Sequence, residues 1–300
     1  MGSIQFEVKL MTKRSIGVVG AGTMGQGIAR TFAKSGLDVV LIDRTPELTK
    51  RAVAQIEIYL DKQLEKWGIT AAEKKLILSR IHPSDHLSDL AGCGMVIEAI
   101  SEDLDLKKEL FRELDNICAN DVILASNTST LSLTELANET KAPERVIGLH
   151  FLHPMAEIDL VEIVRGLKTS EETFQRTKRF VEETINATSI MVYESPGYVT
   201  SRLICVLINE ALHALSEGVA SAEDIDKAMR IGYDFRFGPL EMADRFGLDS
   251  VLAALERMFR EFGDLKYRPS FLLRKMVRAG HLGVKTGEGF FKYDKDGDRL

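Results

Sequence analysis

The chain has 300 residues, 45% hydrophobic and 28% charged, a balance that excludes a disordered or fibrous protein and leaves room for two domains of ordinary size. Thirty-nine basic against 45 acidic side chains give a net charge of −6 with no sustained Lys/Arg block, which excludes the electrostatic footprint of a nucleic-acid binder. The longest stretch without a charged side chain, Ser15 to Ala29, falls short of the roughly 18 residues a bilayer span needs, so no membrane segment is expected.

Residues 1–11 lack a secretory pattern and read as an extension ahead of the first strand-like run, with Met11 just before it. Cys93, Cys118 and Cys205 are widely spaced in runs that read as buried, which suits a reducing, cytoplasmic setting better than a disulfide framework. Along the first two thirds, short apolar runs alternate with helical periods: Ile16 to Val19, Val39 to Ile42, Met95 to Ile97, Val122 to Ala125, Val146 to Leu149 and Ile190 to Val192. Such continuous runs suit parallel strands covered on both faces, so the layout is α/β, a Rossmann-like doubly wound sheet. Between strands, Ala52, Ile56, Leu60, Leu64 and Trp67 share one apolar helical face, and Leu106, Leu110, Phe111, Leu114, Ile117 and Cys118 share another. Ser132 with Glu135, and Thr169 with Glu172, have capping-box spacing.

At Ser195-Pro196-Gly197 the strand-like runs stop, and only helical periods follow: Arg202 to Leu215, Ala222 to Arg230, Leu248 to Phe262 and Phe271 to Ala279. The expected organisation is a dinucleotide-binding domain over residues 12–195 and an all-helical C-terminal domain over residues 196–300. Leu203, Val206, Leu207, Leu212 and Leu215 form a stripe wider than one small bundle covers, which predicts a homodimer through this domain.

Gly20-Ala21-Gly22-Thr23-Met24-Gly25 follows the first strand and opens a helix that ends near Gly36. Glycines at this spacing permit a tight turn, close approach of backbone to a pyrophosphate and close helix–strand packing, while the helix N-terminus offers N–H groups to the anion. Asp43 ends the second strand about 20 residues on, where a carboxylate accepts ribose hydroxyls and repels a 2′-phosphate, so NAD is favoured over NADP even with Arg44 alongside.

His150 closes the strand Val146 to Leu149, at the end of the sheet where open α/β folds bind ligands. Glu162 lies inside the apolar run Leu160 to Val164, where a carboxylate needs a partner, and a nearby imidazole would serve. A His–Glu dyad of this kind suits proton removal from an alcohol while hydride leaves the same carbon. Ser126-Asn127-Thr128-Ser129 ends a neighbouring strand and either joins that rim or serves as turn residues. A metal site from His150 and His153 with Glu157, Asp159 or Glu162 is disfavoured, because two histidines three apart on extended backbone face opposite ways, so no metal is expected.

Together with Val96-Ile97-Glu98-Ala99, Gly148-Leu149-His150-Phe151, Leu160-Val161-Glu162, Ser195-Pro196-Gly197-Tyr198, Gly238-Pro239-Leu240 and Lys285-Thr286-Gly287-Glu288-Gly289-Phe290, these segments make the chain resemble the short-chain L-3-hydroxyacyl-CoA dehydrogenases of the 3-hydroxybutyryl-CoA type. The resemblance covers about Lys13 to Tyr293. It implies reversible NAD-linked oxidation of an (S)-3-hydroxyacyl-CoA to a 3-oxoacyl-CoA in fatty acid metabolism, by a dimeric enzyme. It also implies that His150 is the base, Glu162 its partner and Ser129 a contact to substrate and cofactor. Glu102, Lys107 and Lys285 match positions at the family's cofactor and active site. Lys62 and Lys66, one helical turn apart, are candidates for the CoA phosphates, or else a solvated face.

Two positions depart from the family's pattern. His153 replaces an asparagine beside the nicotinamide, and Ser201 replaces a substrate-contacting asparagine, which bears on substrate choice before reaction type. These departures keep open a dehydrogenase of a non-CoA hydroxy acid, of the carnitine or sugar-acid kind. A non-catalytic NAD-binding protein is the third reading.

Overall fold

The computed structural model describes residues 15–152, 159–295 and 297–300; the N-terminal extension and His153 lie outside them. Two compact units divide between Glu194 and Ser195.

The first unit runs β1 (Ser15–Val19), α1 (Thr23–Lys34), β2 (Asp38–Ile42), α2 (Pro46–Glu65), α3 (Ala71–Ser79), β3 (Ile81–Ser84), β4 (Met95–Glu98), α4 (Leu104–Ile117), β5 (Ile123–Ser126), α5 (Leu133–Asn138), β6 (Val146–Phe151), β7 (Leu160–Arg165), α6 (Glu171–Arg179) and β8 (Thr188–Tyr193). The strands form one sheet in the order β3-β2-β1-β4-β5-β6-β7-β8. The first six in that order are mutually parallel, β7 runs antiparallel to β6, and β8 runs parallel to β7. Two of these strands escape the periodicity reading. Strand β3 contains His82, Pro83 and Ser84, a composition tolerated because it sits at the sheet's edge. Strand β7 is the apolar run around Glu162, and its antiparallel course corrects the expectation of parallel pairing throughout.

Ile16, Val18, Phe32, Leu41, Ile97, Ile147 and Leu149 belong to the buried core of this unit. Phe32 meets Phe151 and Phe180 edge-on, with ring centroids 5.9 and 5.3 Å apart. The caps differ in detail from the spacing. Ser132 accepts the Glu135 N–H, but the Glu135 carboxylate binds Lys108 instead of closing a box. Thr169 donates to the Val146 carbonyl, and Ser170 caps α6 in its place. Thr70 and Glu73 make the full reciprocal box, at the start of α3. Trp67 also departs from expectation. It follows the end of α2, where Gly68 N–H donates to Gln63 and Trp67 N–H to Leu64, in a left-handed turn (φ 56°) that leaves the indole 95% exposed.

The second unit comprises α7 (Thr200–Ser216), α8 (Ala222–Tyr233), α9 (Pro239–Phe246), α10 (Leu248–Phe262) and α11 (Phe271–Arg278), with isolated bridges but no strand ladder among its described residues. Helix α9 is too short to declare itself by period; both oxygens of buried Asp226 accept its first N–H groups, from Leu240 and Glu241. Asp244 accepts from Phe290 N–H, Phe291 N–H and the Tyr293 hydroxyl, which binds the C-terminal segment to α9. Cys93, Cys118 and Cys205 are buried, and burial pushes the Cys205 thiol up to about 12. Among the described residues no helix is long and apolar enough to cross a membrane.

Candidate active site

The glycine-rich turn leaves β1 at its carboxyl end, between β2 and β4. Gly20 adopts φ 105°, and a side chain there would press on the Ala99 carbonyl beyond β4. A Cβ at Gly25 would overlap the Gly20 carbonyl oxygen, so only glycine lets α1 pack this closely on the turn. Gly22 is the reverse: it is exposed, with open space where a side chain would stand. It also precedes the N-terminus of α1, which has neither a side-chain cap nor an acidic residue in its first turn. That opening with unsatisfied N–H groups fits a pyrophosphate. Thr23 is exposed beside it, while Met24 is half-buried against the core. Asp43 anchors the turn: its Oδ2 accepts the Ala21 N–H (2.8 Å) and its Oδ1 the Arg44 N–H (2.7 Å), leaving each oxygen further lone-pair capacity for a ribose hydroxyl. The residues present therefore fit NAD.

Three strands further along, His150 and Glu162 face one another in the antiparallel register of β6 and β7. His150 Nδ1 lies 2.6 Å from Glu162 Oε2; the carboxylate is fully buried and the imidazole nearly so. A ring whose Nδ1 donates to a carboxylate has Nε2 as its basic nitrogen, and the ion formed on protonation is already balanced. Asn127, after β5, accepts the Phe151 N–H through its side chain (2.9 Å), which ties the Ser126–Ser129 turn to the strand that carries His150.

That turn is also held by Glu102. One carboxylate oxygen accepts the Thr128 hydroxyl (2.5 Å), the Thr130 hydroxyl (3.1 Å) and the N–H groups of Ser129 and Thr130 (both 3.2 Å). Burial works against the charge on Glu102, but Lys107 and these donors outweigh it and hold the carboxyl below its ordinary value. The Ser129 hydroxyl has no hydrogen-bond partner among the described residues. Lys107 is itself buried, its Nζ 2.6 Å from Glu98 and 3.3 Å from Glu102. Glu98 lies in one of the segments on which the resemblance rests, but the sequence reading gives it no role. Its signal is the one that marks Glu162, a carboxylate inside an apolar run.

Lys62 and Lys66 do not join this cluster; they are exposed near the end of α2. Ser201 and Lys285 belong to the second unit: Ser201 is half-buried in the first turn of α7, and Lys285 Nζ bonds Asp249 (2.8 Å) and Ser250 (3.1 Å). Asp159, weighed above as a metal ligand, is exposed just before β7.

A dinucleotide turn at the head of a mostly parallel sheet, with an imidazole–carboxylate dyad on the same sheet, defines an NAD-dependent oxidoreductase. Residues 15–195 match the model of the 3-hydroxyacyl-CoA dehydrogenase NAD-binding domain, and residues 197–293 that of the 3-hydroxyacyl-CoA dehydrogenase C-terminal domain. The chain belongs to the 3-hydroxyacyl-CoA dehydrogenase family. It is 44% identical over 280 residues to a 3-hydroxybutyryl-CoA dehydrogenase of Clostridioides difficile, covering 93% of this chain and 99% of that one. The crystal structure of (S)-3-hydroxybutyryl-CoA dehydrogenase PaaH1 from Ralstonia eutropha superposes with a TM-score of 0.87 at 43% identity, over 94% of this chain and 99% of that one. A 3-hydroxyadipyl-CoA dehydrogenase of Escherichia coli is 36% identical over 95% of this chain but only 60% of its own length.

Proposed function

We propose that the chain interconverts short-chain (S)-3-hydroxyacyl-CoA and 3-oxoacyl-CoA, with (S)-3-hydroxybutyryl-CoA as substrate, and that His150 is the base. The 2.6 Å His150–Glu162 contact carries this reading. Bound NAD supplies the hydride acceptor for C3. His150 Nε2 takes the 3-hydroxyl proton as C3 loses hydride, and Glu162 fixes the ring's tautomer and balances the imidazolium. Ser129 holds substrate and cofactor at the rim, and Glu102, Lys107, Lys285 and His153 contribute to the cofactor side. Gly20, Gly22, Thr23, Met24 and Gly25 cradle the pyrophosphate, and Asp43 takes the adenosine ribose. Ser201 contacts the acyl group, and Lys62 and Lys66 attract the CoA phosphates. Similarity to the two 3-hydroxybutyryl-CoA enzymes over nearly their full length supports a short acyl chain.

The helical unit forms a homodimer. Of the expected stripe on α7, Leu212 is fully buried and Val206 and Leu215 pack against the unit's own core, while Leu203 is 69% exposed and Leu207 half-buried, which leaves a narrower apolar face for a second copy. Buried thiols suit the cytoplasm. The test is NADH formation, with NADP in parallel, across (S)-3-hydroxyacyl-CoA thioesters from four carbons upward, including dicarboxylic members. The highest kcat/KM is expected for the four-carbon thioester with NAD; an optimum on a longer or dicarboxylic chain overturns the substrate, and silence across the panel overturns the reading. Sedimentation should give twice 33.4 kDa, and a particle of 33.4 kDa alone rejects the dimer.

A further inference from the structure

Glu98 ends β4 with a fully buried carboxylate, and its carboxylate oxygens and backbone carbonyl bind several parts of the rim. Its Oε1 accepts the Lys107 ammonium of α4 (2.6 Å) and the Ile100 N–H (2.7 Å). Its Oε2 accepts the Ser126 hydroxyl (2.5 Å), and the Ser126 Oγ accepts the Thr128 N–H (3.2 Å). Its backbone carbonyl accepts the Asn127 N–H (2.8 Å), and Asn127 reaches over to Phe151, next to His150. Burial is the largest influence on this carboxyl and raises it above its ordinary range despite Lys107.

Removing two opposite charges from water costs several kcal/mol per ion, and an apolar pair of similar volume serves packing as well or better. The Glu98–Lys107 pair is therefore poorly explained by stability. Its geometry explains it better. Lys107 bridges Glu98 to Glu102, and those two carboxylates grip the 126–130 turn at different residues, Glu98 through Ser126 and Glu102 through Thr128, Ser129 and Thr130. With Glu98 neutral, Glu102 is left as the carboxylate paired with the buried ammonium among the described residues, and the two tasks of Glu102 compete.

We propose that Glu98 is a positioning residue of the dehydrogenase: it holds Lys107 and Ser126 in place, so that Glu102 stays committed to the turn bearing Ser129 and the cofactor side of the site keeps its shape. The proposal rests on the assignment of Glu102, Lys107 and Ser129 to that side. The test is steady-state kinetics and NADH titration on Glu98→Gln, which keeps the volume and an acceptor while removing the charge. KM for NAD and the NADH dissociation constant are expected to rise about tenfold, with kcat at saturating NAD within about threefold of the parent. Glu98→Asp should recover part of the loss. Ser126→Ala removes one hydroxyl, leaves the ion pair intact and serves if Glu98→Gln does not fold; it should raise KM for NAD about threefold. A lowered melting temperature with unchanged KM for NAD in the folded variants overturns the proposal. Glu102→Gln separates the two levels of argument: if it weakens NAD while Glu98→Gln and Ser126→Ala do not, this inference fails alone, and if Glu102→Gln is also silent, the assignment of the cofactor side fails with it.

Discussion

At the amino end of β6, Arg145 is buried with its Nη2 against Asp115 (2.7 Å) and its Nη1 on the carbonyls of Ala119 and Val122; at the carboxyl end, His150 is buried against Glu162 (2.6 Å). Both pairs pay the desolvation of buried charge, yet they do different things. Arg145 directs its guanidinium to a carboxylate and to backbone carbonyls, so it clamps α4 and the following loop to the foot of the strand. An imidazole has one nitrogen that donates and one that accepts a proton, and β6 delivers that of His150 to the edge of the sheet where α/β folds bind ligands. Burial alone therefore says little about role; the chemistry of the cation and the end of the strand decide it.

The largest effect should come from His150→Gln, which keeps a donor for Glu162 while removing the base. Turnover should fall by about a hundredfold or more, with NADH affinity and melting temperature close to the parent's. Unchanged turnover would dismiss the base assignment. Glu162→Gln leaves the ring in place without its counter-charge, and kcat should drop about tenfold or more. Asp115→Ala is the counterpart at the other end: leaving Arg145 buried and unpaired should cost about 3–5 kcal/mol in denaturant unfolding, with kcat per folded molecule unaffected. A comparable kinetic loss in Asp115→Ala would erase the distinction between the two ends.

A third kind of buried charge sharpens the contrast. Burial pushes Asp244 up to about 6, against the pull of the Phe290 and Phe291 N–H groups and the Tyr293 hydroxyl. The folded state thus binds this proton more tightly than the unfolded chain does. The group's contribution is fully present below the ordinary carboxylate pKa and is lost as pH rises through about 6. The stability of the parent relative to Asp244→Asn should accordingly increase from pH 7 to pH 4, and a pH-independent difference would contradict it. Smallest is Trp67→Gly, which relieves a left-handed residue with an exposed ring and should stabilise by about 1 kcal/mol in thermal or chemical unfolding.

How much of this was legible along the chain varied with the range of the interaction. The dinucleotide turn is written in six consecutive residues, since Gly20, Gly22 and Gly25 act on backbone next to them. Glu162 stood out as a carboxylate among Leu160, Val161, Ile163 and Val164, and the same rule applied to Met95 through Ile100 would have exposed Glu98. Trp67 fits an apolar stripe by period but falls just past the end of α2, where the chain turns away and the period stops applying. Thr169 has the spacing of a cap, but its hydroxyl bonds the Val146 carbonyl across the fold and Ser170 caps α6 instead.

By itself, the sequence determined the α/β character, the dinucleotide turn, the helical second unit and the residue types of the dyad, because each depends on local backbone preference or on the cost of burying one named group. Only the tertiary structure decided that β7 reverses beside β6. That single antiparallel register sets His150 opposite Glu162 across a sheet whose other pairings at the site are parallel. The same holds for the Glu98, Lys107 and Glu102 cluster, in which β4, α4 and the turn after β5 meet. Strand register and helix packing are settled by the whole apolar core at once, and no window of the chain contains that sum.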